Sequence, residues 1–137
     1  MKELPYGLSI EMNLPLERAI AMTREALKAE GFGVLTEIDV RKTLRDKIGA
    51  DFQPYVILGA CNPSLAFVAL QDDIETGLLL PCNVTVREEA AGRSVVSILD
   101  PNLMASVSPS TELKEVARLA RQKLERVLQE LSRQPVN

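Results

Sequence analysis

Eight apolar residues near the end of the chain recur at helical spacing: Leu113, Val116, Ala117, Ala120, Leu124, Val127, Leu128 and Leu131. Steps of three and four keep them on one side of a 3.6-residue turn, so Leu113 to Leu131 predicts a long amphipathic helix. Such a stripe must be covered. Either the core of its own domain or a seam with a second chain does this; a cofactor-binding box is a weaker explanation.

The rest of the chain supplies strands for it to cover. In Tyr6 to Met12, Leu8, Ile10 and Met12 fall on one face at period two. Phe32 to Ile38 alternates Phe32, Val34, Thr36 and Ile38. Tyr55 to Cys61 is nearly continuously apolar, the pattern of a central strand. Gly77 to Glu88 predicts a further strand, and Pro81 inside it implies a bulge or an edge position. Glu89 to Gly92 is a hairpin turn leading to Arg93 to Leu99, which Asp100-Pro101 ends.

Helix signals punctuate these strands. Pro15 and Glu17 open a helix with Leu16, Ala19, Ile20, Thr23, Ala26 and Leu27 on one face, and Gly31 stops it. Asp39 is a cap for a short helix carrying Val40, Leu44 and Ile48, closed by Gly49. Asn62-Pro63 opens a short helix reaching Gln71. Asp72 to Thr76 reads as an acidic turn and Asn102 to Pro109 as an apolar loop, and Gln134 to Asn137 should fray. The order predicts one domain over residues 1–137, α+β and two-layered, with a mainly antiparallel sheet and a long C-terminal helix. The first helix could also serve as a crossover between its flanking strands, which would make the sheet mixed.

Composition excludes several function classes. The 137 residues carry a net charge of −3, against a nucleic-acid platform or a polybasic membrane patch. No apolar run approaches the roughly 20 residues that span a bilayer, and the N-terminus lacks a signal-peptide stretch, so the expected location is cytoplasmic. There is no histidine. Ser–His–Asp triads, Cys–His dyads and histidine-based zinc sites are therefore impossible within the chain. No Walker loop, nucleophile elbow or other cofactor motif is present, and no cofactor can be named. Cys61 and Cys82 are expected to be reduced thiols, and two thiols from one chain cannot complete a four-ligand zinc site, which would need two subunits to supply four thiolates across a symmetry axis.

The candidate site is Cys61-Asn62-Pro63-Ser64, together with Cys82 and Asn83. Cys61 ends a strand immediately before a helix start, where unpaired N–H groups and the helix dipole favour negative charge. That position can lower a thiol pKa or hold an anion. If the two strands are neighbours, both Cys-Asn pairs could face one pocket. Three readings follow: a protein binding a small anion, soft metal or thiol ligand; a structural or interaction module with inert buried cysteines; and a thiol enzyme or redox sensor with Cys61 as nucleophile and Cys82 as resolving thiol. Two charged stretches remain. Arg41, Lys42, Arg45 and Lys47 form a solvated helix face, or a surface for an anion or an acidic partner; Asp72, Asp73 and Glu75 form a solvated loop or attract a cation.

The segments Tyr55 to Ala66, Leu78 to Val84 and Leu99-Asp100-Pro101, with Gly31-Phe32-Gly33, resemble the bacterial and archaeal domain of unknown function 302 family over essentially the whole chain. The resemblance implies a strand, helix, four strands, helix plan similar to one half of the TATA-binding-protein architecture, and a homodimer. It carries over no activity and no catalytic residue, and fold alone does not supply one.

Overall fold

The computed structural model describes residues 1–133, so the expected fraying at 134–137 lies outside the described residues. In chain order the elements are β1 (Lys2–Leu4), β2 (Gly7–Met12), α1 (Leu16–Ala29), β3 (Gly33–Asp39), α2 (Val40–Ile48), β4 (Tyr55–Cys61), α3 (Pro63–Asp72), a 3-10 segment (Ile74–Leu79), β5 (Cys82–Ala90), β6 (Arg93–Leu99), α4 (Pro101–Ser106) and α5 (Thr111–Ser132). The plan of strand, helix, four strands, helix is therefore present as β2, α1, β3 to β6 and α5. To it are added a short edge strand, three short helices and the 3-10 segment.

The strands form one sheet in the order β1-β2-β6-β5-β4-β3. Every neighbouring pair is antiparallel. The mixed sheet that a crossover helix would allow is thus corrected. Helix α1 does carry the chain from β2 to β3, but three strands lie between them, so the two never pair. Strand β3 is an edge and is mostly exposed, with a register shift at Leu35 between Val34 and Thr36.

Alternation decides which side of the sheet is covered. Leu8, Ile10, Val84, Val86, Val96 and Ile98 are buried in one cluster with Leu27 of α1 and with Leu124, Val127 and Leu128 of α5. All eight residues of the α5 stripe are buried. Full burial of one such aliphatic side chain contributes about 1.5–3 kcal/mol, so this layer contact dominates the stability of the fold. A second, smaller cluster joins Ala69, Ala105, Leu113, Val116 and Ala117, where α3 and α4 meet the start of α5.

Local chemistry sets the element ends. Pro15 has no capping side chain; the first turn of α1 is instead capped from the sheet, where Leu16 N–H donates to Glu88 Oε1 at 2.6 Å. Two expectations are corrected here. The strand containing Pro81 does not begin at Gly77: residues 74–79 coil into the 3-10 segment and β5 opens only at Cys82. Pro81, joined to Leu80 by a cis bond, therefore precedes the ladder and removes no hydrogen bond from it. The stretch Asn102 to Pro109 is not all loop either, because Asp100 caps α4 by accepting from Asn102 N–H at 2.9 Å, and Met104 and Ala105 are buried.

Candidate functional site

Strand β4 delivers Cys61 to the edge of the core, and Asn62 turns the chain into α3. The Asn62 side chain accepts from Leu65 N–H at 3.2 Å, and Pro63 occupies the first turn, where its missing N–H costs nothing. The end of α1 packs against this cap. Gly31 has a positive φ of 84°, and a Cβ there would lie 3.1 Å from Asn62 Nδ2. Glycine suits position 31 for its backbone conformation, and a Cβ there would also press on the Asn62 amide.

Cys82 opens β5 opposite Ala60, with Asn83 opposite Gly59. The strands carrying the two thiols are thus paired neighbours, and the thiols are offset by one residue in the register. Cys61, Asn62 and Cys82 line one small apolar cavity with Phe32, Leu65, Thr76 and Val116; its volume is about 30 Å³. That is room for roughly one or two water molecules. Beside it lies an open hollow of about 460 Å³, lined by Gly31, Asn62, Pro63, Ser64, Leu65 and Lys123. Asn62 and Leu65 belong to both. Lys123 of α5 has no ion pair among the described residues. Glu30, also on the rim, is neutralised by Arg126 at 2.9 Å.

The profile of the family described as "Domain of unknown function DUF302" matches residues 8–131. The chain is a member of the DUF302 family. The crystal structure of an uncharacterized conserved protein DUF302 from Bacillus stearothermophilus has the same fold, with a TM-score of 0.84 and 30% identity. The alignment covers 93% of this chain and 99% of that one. Among curated proteins none matches.

The electrostatics of this DUF302 site run against one expectation. Cys61 is half-buried, and burial pushes its thiol above the usual range rather than below it. Cys82 is buried, and its pKa is pushed up to about 11, first by burial and then by the charge of Cys61. Both sulfurs are therefore protonated near neutral pH, which removes the activated thiolate on which a nucleophile or redox sensor would depend. For Cys61 burial is the cause of the rise.

The six predicted residues of the DUF302 chain thus divide. Cys61, Asn62 and Cys82 meet at the cavity, and Asn62, Pro63 and Ser64 meet at the hollow. Asn83 is exposed, and alternation along β5 turns it to the sheet face opposite Cys82, so only one of the two Cys-Asn pairs is at the pocket. Lys123 was not singled out by sequence. It lies on the polar side of the α5 stripe, where nothing local distinguishes it from the other charged residues of that helix. Among the described residues no group of three or more Cys, Asp or Glu could hold a metal ion. Nor is any helix among them long and apolar enough to cross a membrane.

Proposed function

We propose that this DUF302 protein is a homodimeric binding protein for a small anion, a carboxylate- or phosphate-bearing molecule. The anion sits in the hollow at the start of α3, and the apolar part of the ligand turns toward the cavity at Cys61 and Cys82. The observation that carries this reading is the unpaired Lys123 ammonium in the same hollow as the first turn of a ten-residue helix, with Asn62 and Ser64 beside it. Pro63 has no N–H and the Leu65 and Ala66 N–H groups already bond Asn62, so the Ser64 N–H and the helix dipole favour negative charge there, and the ammonium adds a full positive charge. Asn62 and Leu65 line both compartments, so a molecule in the hollow lies against residues that also bound the cavity. The soft-metal and thiol-ligand versions of the reading have less support, because both thiols hold their protons.

Titration of ¹⁵N-labelled protein with inorganic phosphate and with a short-chain monocarboxylate tests this. The expected result is chemical-shift change concentrated at Ser64, Leu65 and Lys123, weakened about tenfold in Lys123→Gln, the loss of one charge-assisted contact. Absence of shifts at those amides with either anion, or equal binding by Lys123→Gln, would sink the reading. A second reading, of cysteines that serve only packing, is favoured by the burial of Cys82 and is compatible with anion binding at the hollow.

A further inference from the structure

Two surface segments of this chain expose large apolar side chains, and their charges are opposite. The first is residues 67–78, running from α3 into the 3-10 segment. Phe67 is 61% exposed, Ile74 75% and Leu78 83%. Asp72, Asp73 and Glu75 lie among them with no Lys or Arg between 67 and 78. The second is residues 38–52, the end of β3 and α2. Ile48 is 72% exposed, and Ile38 and Phe52 are also exposed. Helix α2 carries Arg41, Lys42, Arg45 and Lys47, opposed in the segment by Asp39, Asp46 and Asp51, so residues 38–52 hold a net charge of +1 against −3 for residues 67–78, and α2 buries no residue fully. Arg41 and Lys47 have no ion pair among the described residues, whereas Lys42 and Arg45 share the single Asp46.

Exposed apolar residues concentrated in a charged rim mark an interaction surface. Here the chain carries both halves of a match: an exposed apolar segment that is acidic and an exposed apolar segment whose helix is basic. We infer that a second copy of this chain is the partner, with the 67–78 segment of each protomer seated on the 38–52 segment of the other. The inference rests on the homodimeric part of the reading above and assigns its surface. A two-fold arrangement uses each patch once per protomer, so both contacts form together and no patch is left open. The opposite rims steer the encounter and exclude the acid-on-acid and base-on-base pairings.

Charge reversal with rescue is the decisive experiment, read by analytical ultracentrifugation across a dilution series. Arg41→Glu with Lys47→Glu reverses one rim; Gln71→Lys with Glu75→Lys weakens the other, and none of these four side chains has a hydrogen-bonding role in the fold. The wild-type chain is expected at twice its 15.1 kDa mass. Each double variant should raise the dimer dissociation constant about tenfold or more. An equimolar mixture of the two should recover dimers in part, because one contact is then wild-type on both sides and the other sets the reversed segment against a neutral one instead of an acidic one. Leu78→Ser, an apolar test that leaves the charges intact, should weaken association as well. A wild-type chain that stays at 15.1 kDa throughout overturns self-association itself. A dimer indifferent to both double variants and to Leu78→Ser overturns the assigned surface while leaving self-association standing. Growth beyond a dimer overturns the two-fold arrangement.

Discussion

Cys82 shows how a residue chosen for its chemistry ends up governed by its surroundings. Its neutral form is the one that the folded chain accommodates, since burial lifts its pKa from 9.0 to about 11. Folded and unfolded thiols are both protonated below pH 9, so the contribution to stability is fully present there. Between 9 and 11 the unfolded chain releases this proton and the folded chain does not, so stability falls as pH rises. A shift of this size corresponds to on the order of 2–3 kcal/mol across that window. Comparing urea midpoints of wild type and Cys82→Ala over this range checks the sign: the wild type should lose stability relative to the variant. The pairing of Cys61 and Cys82 at one cavity was readable as a conditional statement, because each thiol sits in a recognisable strand end. Asn83 was misplaced because the period-two alternation of a strand sets it on the sheet face opposite Cys82, whichever residue the strand begins at. Lys123 was invisible for a different reason. It joins the site only through the packing of α5 beside α3, a contact that no local pattern encodes.

At the scale of elements, α3 is the one whose placement decides the site. It is short and only Ala69 is fully buried, so its cap matters more than its packing. Asn62→Ala should cost about 1 kcal/mol by leaving the Leu65 N–H without its acceptor, and Asn62→Asp should recover most of it. Chemical denaturation of the three proteins measures this directly. The same comparison explains what sequence reading captures among the elements. Strands β2, β4 and β6 and helices α1 and α5 were legible because each carries its own period of apolar residues over six or more positions. Strand β1 and helix α4 were not. Three residues of β1 hold no period, and the six of α4 are held by the Asp100 cap and by burial of Pro101, Met104 and Ala105 against α5. Pro81 misled for the complementary reason: apolar residues 78–80 continue the look of a strand into a stretch that the chain uses for a 3-10 turn.

At the scale of the molecule, charge is divided rather than spread, with the basic α2 and the acidic segment after α3 joined to opposite ends of β4. Self-association through these surfaces should weaken as salt is raised from low to physiological concentration, mainly through slower association, because rim charges act at distances that ions screen. Stopped-flow dilution at several ionic strengths would register this; an association rate independent of salt would contradict it. The strand order has a consequence for how the chain is made. β2 pairs with β1 on one side and β6 on the other, and β6 is completed only at Leu99. A ribosome must therefore expose most of the polypeptide before the first long strand can be locked between its neighbours. Until then the apolar residues Leu8, Ile10 and Met12 belong to a nascent hairpin with no cover. This places the burden of protection during synthesis on the amino-terminal segment.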